Sequence, residues 1–297
     1  LHITSYDTEQ LNKMFKCIEM FDYAKIDFQT LSFKQTYEIL KAIKSKNSNI
    51  KIICENIDTK QKKIEALNNG ADFFEGYFFQ QPNINKINQI TPEVKSVFRI
   101  YNQLNSDTDI ELIIKSMRSN PELIINLLQY VNNASMSKTK EINSIRQAVN
   151  YLGRKTLKTW LLLFLYSDSK RNPYAVSLLE SAMIRARIIQ ELVKKVDIRL
   201  EEKGFLIGIL STMDALFECD IRSIVEDTSF DNDIKDALIN HTGILGSFLD
   251  LAIASEKNEC NTAISILSRF NIDIDTYFIA LRESIEWTFQ NLKAFKG

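Results

Sequence analysis

The stretch LLQYVNNASMSKTKEINSIRQAVNYLGRKTLKTWLLLF, residues 127–164, decides how most of this chain folds. Its first part places apolar residues at helical spacing, and a polar loop then precedes a second run with the same period. The second run passes through Gly153 and ends in leucines around Trp160. The pattern predicts a helix, a loop and two further helices, 144–153 and 155–166, with Trp160 and the leucines in a core.

The helical pattern extends from about residue 92 to the end of the chain. Proline follows a residue that favours the N-cap position at Thr91-Pro92, Asn120-Pro121 and Asn172-Pro173. Each pair therefore predicts a helix start. We expect an all-α bundle over residues 92–297, with further helices at 174–196, 202–217, 244–256 and 275–293.

The first part of the chain has a different pattern. Short runs rich in β-branched and aromatic residues alternate with amphipathic stretches, and strands are predicted at 1–6, 23–28, 50–57 and 72–79. This alternation indicates parallel strands with crossover helices, in a half-barrel or a small open sheet. The polar segment QQPNINKINQITP, residues 80–92, marks the border between an α/β domain, 1–84, and the helical domain, 92–297.

Composition excludes several classes of protein. The net charge of −1 gives no long-range attraction to nucleic acid or anionic lipid. The four cysteines are scattered without a C-x-x-C pair, which indicates reduced thiols in a cytoplasmic protein. The longest apolar run, residues 160–166, is too short to cross a bilayer, and no signal peptide is visible. Because the chain begins at Leu1, we expect a fragment or a processed chain.

The opening stretch closely resembles the signature of the HDOD domain, a helical family related to HD phosphohydrolases. That family has a helix ending in V-N-(N/S)-A, a loop, and an S-I-x-x-A-V-x-x-L-G helix followed by basic residues. The matching positions are Val131, Asn132, Ala134, Ser144, Ile145, Ala148, Val149, Leu152 and Gly153. The resemblance extends over most of residues 92–297 and implies an HD-related helical bundle.

The first 84 residues resemble the C-terminal half of an EAL domain, the barrel of cyclic di-GMP phosphodiesterases. The segments KID (25–27), CENIDT (54–59) and EGYFF (75–79) are similar to that family's K-I-D, A-E-G-V-E-T and Q-G-Y-x-F motifs, in the same order. The two resemblances together identify a tandem EAL–HDOD bacterial signalling protein with a partial α/β barrel.

The EAL resemblance also predicts loss of catalysis. The family holds divalent metals on several carboxylates, because hard cations need several oxygen ligands. Where the resemblance implies an Asp-Asp pair, this chain has Thr4 and Ser5, and the Q-G-Y glutamine is Glu75. Lys25, Asp27 and Glu55 match their motif positions. Lys25 and Asp27 are interpreted as an ion pair, and Glu55 as a capping or salt-bridged residue at a strand end. The alternative is residual nucleotide or metal contact.

The helical domain is also predicted to lack a metal. HD enzymes use histidines and a His-Asp dipeptide, and the resemblance places that dipeptide at Ser211-Thr212. The two histidines, His2 and His241, are not followed by aspartate. His241 is interpreted as the end of a helix, and Asp214 as a solvent-facing or capping acid.

A basic cluster surrounds the signature. It consists of Arg146, Arg154, Lys155 and Lys158. The cluster is interpreted either as a solvated helix face or as a docking site for an acidic partner or a nucleotide phosphate. The polar loop 135–140 beside it is a second candidate for recognition.

These features predict a cytoplasmic, non-catalytic signalling protein whose HDOD domain docks protein partners, other signalling components among them. No catalytic residue, metal or cofactor is expected, and neither nucleic acid nor membrane is an expected partner. Weak cyclic di-GMP binding is retained for the EAL-like residues. The alternative is an active or ligand-sensing cyclic di-GMP phosphodiesterase completed by upstream strands.

Overall fold

The computed structural model describes residues 1–80, 90–106, 108–134, 141–167, 172–226 and 228–296. The chain divides into two compact units, residues 1–81 and 82–297. Most of the predicted border, 80–92, and the loop 135–140 lie outside the described residues.

The first unit, called the α/β unit below, alternates strands and helices. Its strands are β1 (His2–Ile3), β2 (Tyr23–Asp27), β3 (Lys51–Glu55) and β4 (Phe73–Phe74), and its helices are α1 (Thr8–Phe15), α2 (Phe33–Lys46) and α3 (Lys60–Asn68). A 3-10 turn, Ile18–Met20, precedes β2. The strands pair in the order β1-β2-β3-β4, and every pair is parallel. The predicted parallel α/β arrangement is therefore confirmed for this unit.

The two outer strands are much shorter than predicted. The run at 1–6 forms only β1, because Asp7 already caps α1 by accepting hydrogen bonds from the backbone N–H groups of Glu9 and Gln10. The run at 72–79 forms only β4, because Gly76 turns the chain with a φ of 148°. Within the described residues the sheet is open, so the EAL-like partial barrel stays a prediction.

Strand register separates a buried and a polar face of the sheet. Ala24 and Ile26 of β2 and Ile52 and Cys54 of β3 are fully buried. The alternate residues of the same strands point to the opposite face, where Lys25 is paired in register with Ile53, and Asp27 with Glu55. This register gathers the charged motif residues on one side of the sheet.

The second unit, called the helical unit below, is formed by helices throughout its described residues. In chain order they are α4 (Pro92–Asn105), α5 (Ile110–Met117), α6 (Pro121–Ala134), α7 (Ile145–Phe164), α8 (Ala175–Val196), α9 (Glu201–Leu210), α10 (Met213–Phe217), α11 (Ile221–Val225), α12 (Asn232–Asn240), α13 (Gly243–Glu256), α14 (Cys260–Arg269) and α15 (Ile274–Lys296). A 3-10 turn, Ile198–Leu200, leads into α9. The long helix α8 packs against α9, α13 and α15 and forms the centre of the bundle.

Two predicted proline starts are confirmed, and the third helix begins later than expected. Helices α4 and α6 begin at Pro92 and Pro121. Asn172 is instead buried, and its amide donates to the carbonyl groups of Ala215 and Leu216. Its side chain thus ties the end of α10 to the segment before α8, and α8 begins only at Ala175.

The predicted helix 202–217 is divided into α9 and α10. The Tyr166 hydroxyl is fully buried and donates to the Ile209 carbonyl oxygen at 2.5 Å, and it lies 2.9 Å from the Thr212 hydroxyl. These contacts give α9 a side-chain partner for one of its last carbonyls, so the backbone can turn at Ser211-Thr212. Sequence periodicity alone does not show such a partner.

One stretch of the described residues, Asn232–Glu256, is long and apolar enough to be tested as a membrane span. It consists of α12 and α13, separated by His241 in a left-handed conformation, and 56% of the window is buried in the bundle. A core helix of a folded domain meets the same test, so the stretch is weak support for membrane insertion. His241 ends α12 as predicted, and its Nδ1 lies 2.5 Å from Asp250.

Candidate functional site

The signature residues hold the α6–α7 junction together. Asn132 at the end of α6 donates to the Ile142 carbonyl at 3.0 Å and accepts from the Ile142 N–H at 2.9 Å. Ser144 then caps α7 by accepting from the Gln147 N–H. Val131 and Ala148 are fully buried on the two helices. The Asn132 side chain therefore supplies the hydrogen-bond partners that the backbone N–H and C=O groups of Ile142 need just before α7 begins.

Gly153 supplies the turn that redirects the basic residues after the signature. It has φ 71° and ψ 168° inside α7, a conformation that residues with a Cβ adopt at a cost. The predicted helices 144–153 and 155–166 are therefore the two arms of one bent helix. Lys155 and Lys158 lie on the second arm.

The predicted basic cluster does not act as one patch. Arg146 forms an ion pair with Glu111 of α5, and Arg154 donates to the Thr108 carbonyl at 2.5 Å. Lys155 forms an ion pair with Glu202 of α9 at 2.7 Å. Lys158 donates to the Asn105 side-chain oxygen at 3.5 Å. The two arginines thus tie α7 to the α4–α5 region, whereas the two lysines face a cavity.

That cavity, called the α7–α9 cavity below, has a volume of about 490 Å³ within the helical unit. Its lining is contributed by α4, α7, α8, α9, α12 and α15 and by the segments before α9 and α12. The lining residues are Tyr101, Asn105, Lys155, Lys158, Thr159, Leu162, Arg187, Gln190, Arg199, Glu202, Lys203, Phe205, Leu206, Phe230, Asp231, Ile234 and Trp287. The lining combines aromatic rings with five cationic and two anionic side chains, a composition typical of a small-molecule site.

A buried arginine lies where the family resemblance places the His-Asp dipeptide. Arg185 of α8 is 4% exposed and binds Glu256 through two hydrogen bonds, at 2.7 and 2.5 Å. Its Nη1 also donates to the Ser211 hydroxyl at 3.1 Å. Burial alone would lower the pKa of Arg185, but the Glu256 carboxylate raises it and keeps the guanidinium charged. The positively charged guanidinium of Arg185 therefore lies directly beside Ser211, at the position where the resemblance places the His-Asp dipeptide.

Asp214 is not a solvent-facing acid, so that interpretation was wrong. Its side chain is half-buried near the Arg185 pair, and burial raises the pKa of the carboxyl to about 6. It does have a capping contact, accepting from the N–H of Ala215 at 2.7 Å. Among the described residues, no group of three or more His, Cys, Asp or Glu side chains converges as a metal site.

The polar face of the α/β unit carries a second charged cluster. Lys25 lies between two carboxylates, 2.8 Å from Glu55 and 2.9 Å from Glu75, and His2 also contacts Glu55. The hydrogen bonds that the Lys25 ammonium donates to Glu55 and Glu75 raise its pKa. Burial would raise the pKa of Glu55, but the hydrogen bonds from Lys25 and His2 hold it below its usual value.

Asp27 stands beside this cluster, but the predicted ion pair with Lys25 is wrong, because Lys25 pairs with Glu55 and Glu75 instead. Its carboxylate accepts from the Asn56 amide at 2.8 Å, the Gln29 N–H at 2.7 Å and the Thr30 hydroxyl at 3.1 Å. Burial opposes ionisation, but these donors together lower the pKa of Asp27. The same Thr30 hydroxyl lies 2.6 Å from the Thr4 carbonyl, which ties β1 to the end of β2.

Sequence reasoning missed the roles of four residues that organise these sites. His2 was considered only as a metal ligand, although its place at the start of β1 sets it beside Lys25 in the parallel register. Arg185 and Arg187 lie in the predicted helix 174–196, and nothing local in the sequence signals that Arg185 is buried. Trp287 lies far along the chain, and only tertiary packing brings it to the α7–α9 cavity.

Comparison with known families identifies the class of the helical unit. Residues 91–224 match the family model of the HDOD domain. An HDOD domain is therefore present, and it includes the α6–α7 junction and most of the residues around Arg185. The match begins after the α/β unit, so the EAL resemblance of residues 1–84 stays a prediction.

Two curated bacterial proteins are similar to the chain over most of its length. One is the uncharacterized protein YuxH of Bacillus subtilis, 23% identical over 288 residues, which cover 96% of this chain and 69% of YuxH. The other is the cyclic di-GMP phosphodiesterase CdgJ of Vibrio cholerae, 27% identical over 268 residues, which cover 89% of this chain and 61% of CdgJ. Both alignments are too long for the helical unit alone and must extend into the α/β unit.

The chain thus spans about two thirds of the length of these relatives. No solved structure matches the chain significantly. The HDOD domain and the homology to CdgJ fit a bacterial signalling protein.

Proposed function

We propose that this protein is a non-catalytic component of bacterial, cytoplasmic signal transduction, in which the HDOD domain docks protein partners and the α/β unit is a degenerate EAL-like segment. The observation that carries this proposal is the buried Arg185–Glu256 pair at Ser211. A fixed guanidinium repels a divalent cation, and the Ser211 and Thr212 hydroxyls do not offset that charge.

The charged cluster of the α/β unit supports the same proposal. Lys25 forms ion pairs with both Glu55 and Glu75, while Asp27 accepts hydrogen bonds from donors of its own unit. Two-metal phosphodiester hydrolysis needs carboxylates that are free to converge on metal ions. Thr4 and Ser5, at the positions where the resemblance implies two aspartates, supply only neutral hydroxyls.

Hydrolysis of cyclic di-GMP by the purified full chain tests the absence of catalysis. With Mg²⁺ or Mn²⁺ present, we expect no product above a blank without protein. Purified CdgJ in the same buffer serves as the positive control. Product formation that scales with the concentration of this chain and is lost in Glu55→Ala contradicts the proposal.

Docking is tested on the arginines that lie outside the α7–α9 cavity. We expect Arg146→Glu in the full chain to reduce specific capture of signalling proteins from the native host, because it reverses the charge at the α5–α7 surface. Lys257→Glu, at an exposed position that follows α13 and lies on neither α5 nor α7, is the matched control. Equal capture by both variants and the wild type contradicts docking at this surface.

The second candidate function is a cyclic di-GMP phosphodiesterase or sensor. It is favoured by the homology to CdgJ and by the placement of Lys25, Asp27 and Glu55 on one face of the sheet. Calorimetric titration of cyclic di-GMP into the full chain separates the two candidates. Saturable heat that Lys25→Ala removes favours the sensor, whereas no heat at high protein concentration leaves docking.

A further inference from the structure

The α7–α9 cavity is separate from both charged clusters described above. None of the residues around Arg185 that correspond to the family's metal position belongs to its lining. Its volume of about 490 Å³ lies within the usual range for small-molecule pockets, about 300–1,000 Å³. The cavity is therefore large enough for a small molecule and does not include the Arg185 cluster.

Two aromatic pairs line this cavity. Phe205 and Trp287 meet edge to face with ring centroids 6.0 Å apart, and Tyr101 and Phe230 meet in the same way at 5.4 Å. The Arg187 guanidinium lies over the Trp287 ring, 5.9 Å from its centroid. Aromatic faces and a planar guanidinium are the surfaces on which flat heterocyclic rings stack.

The Arg187 side chain is held by its two terminal nitrogens, Nη1 and Nη2. Its Nη1 donates to Gln190 at 2.7 Å and its Nη2 pairs with Glu191 at 2.8 Å. Its Nε is buried and, within the described part of the chain, has no hydrogen-bond partner. The hydrogen bonds to Gln190 and Glu191 hold the guanidinium in place over Trp287.

The lysine and arginine side chains that line the cavity differ in whether a carboxylate already pairs with them. Lys155 pairs with Glu202, Lys203 with Asp231 and Asp233, and Arg199 with Asp197. No carboxylate in the described residues lies within 4.0 Å of the Lys158 ammonium. Lys158 is thus the lining cation that an incoming anion can bind without breaking an ion pair. Lys155 can also bind an anion at small cost, because its exposed ion pair with Glu202 is weak.

We propose that the α7–α9 cavity binds a nucleotide, with its planar ring against Trp287 and Arg187 and its phosphate at Lys158 and Lys155. Arg and Lys bind phosphate through charge-assisted hydrogen bonds, and stacking on aromatic rings tolerates different bases. This inference goes beyond the docking function, because it assigns a ligand site inside the HDOD bundle that needs no metal and no catalysis.

Tryptophan fluorescence of the full chain tests the proposal. The chain has two tryptophans, and Trp287 lines the cavity whereas Trp160 is 2% exposed in the core. Titration with GMP or AMP is expected to change the fluorescence saturably, and Trp287→Phe is expected to remove the change. Guanosine alone and inorganic phosphate alone are expected to bind at least about tenfold more weakly than GMP. Guanosine lacks the phosphate that would bind the lysines, and inorganic phosphate lacks the ring that would stack on Trp287.

Two variants assign the contacts. Lys158→Ala and Arg187→Lys are each expected to weaken GMP binding about tenfold, while Lys115→Ala, on an exposed position of α5 outside the cavity, leaves it unchanged. Thermal melts are compared first, and only variants that melt like the wild type are titrated. The proposal is overturned by the absence of a saturable change at millimolar GMP or AMP. It is also overturned by wild-type affinity in both variants, or by equal affinity for guanosine or phosphate alone.

Discussion

In the α/β unit, Lys25 lies between Glu55 and Glu75 on an open face of the sheet, where Lys25 and Glu75 are 36% and 63% exposed. In the helical unit, Arg185 is 5% exposed at its side chain and binds Glu256 with two parallel hydrogen bonds. Water already solvates the first cluster, so its ion pairs add little to folding. The Arg185–Glu256 pair is largely shielded from water, so removal of either residue leaves the other charge poorly solvated.

Arg185→Ala is the strongest test of this contrast. It leaves the half-buried Glu256 carboxylate without its guanidinium, and we expect the helical unit to lose about 3 kcal/mol of unfolding free energy. Urea unfolding followed by tryptophan fluorescence measures this loss, since both tryptophans lie in the helical unit. The double variant Arg185→Met, Glu256→Met should recover most of the stability, and equal loss in the double variant contradicts the interpretation.

Gly208→Ala tests the packing that holds Arg185 in place. A Cβ at Gly208 would lie 2.2 Å from the Cα of Ala186 on α8, so α8 and α9 would have to separate. We expect a loss of about 3 kcal/mol, near the upper end for overpacked cores. Gly153→Ala is the control: it meets no atom within 4 Å and strains only the backbone, with an expected loss of about 1 kcal/mol.

Asp214 predicts an unusual pH dependence for the helical unit. Because burial raises its pKa to about 6 from 3.8, the native state holds this proton more tightly than the unfolded chain. Its contribution to stability is complete below pH 3.8 and is lost as the pH rises through 6. At pH 8 we expect Asp214→Asn to be more stable than the wild type by about 2–3 kcal/mol, measured by fluorescence-detected unfolding.

The α/β unit is expected to respond to pH in the opposite direction. Burial opposes ionisation of Asp72, but the Ile52 N–H, Lys44 and Lys51 lower its pKa from 3.8 to about 2. That stability is present above pH 3.8 and lost as the pH falls towards 2. Circular dichroism at acid pH should therefore show loss of structure that tryptophan fluorescence does not follow, and coincident curves contradict this prediction.

Glu75→Gln carries the smallest expected effect. It removes one of the two carboxylates at Lys25 but leaves Glu55 in place, and we expect a change in unfolding free energy below about 1 kcal/mol. Circular dichroism during urea unfolding measures it. A loss comparable to that of Arg185→Ala would show that the α/β cluster is a folding determinant after all.

Much of the fold could be predicted from the sequence because its determinants are local. Apolar periodicity located most helices, and the Asn120-Pro121 pair set the start of α6, with Asn120 accepting from the Leu123 N–H. The outer strands were overestimated, since Gly76 and Asp7 end them through turn and cap geometry. The break at Ser211 was missed because its cause, the Tyr166 hydroxyl, lies 43 residues from Ile209 in the chain.

The candidate site divides in the same way. Lys25, Asp27, Glu55 and Glu75 were named from motif spacing, and parallel register explains why they lie together. The basic cluster was named from adjacency in sequence, and the structure separates it into Arg146 and Arg154 on one side and two cavity-lining lysines on the other. A one-dimensional pattern cannot show the difference, because the bend at Gly153 and the partners on other helices decide it.

By itself the sequence determined the two kinds of unit, the HDOD signature and the presence of only two histidines, because these follow from residue type and short-range spacing. Tertiary structure alone decided that Arg185 is buried against Ser211, that burial raises the pKa of Asp214, and that Trp287, Arg187 and Lys158 line one cavity. Burial and long-range contact set the cost of a charge, and the linear order of residues encodes neither directly.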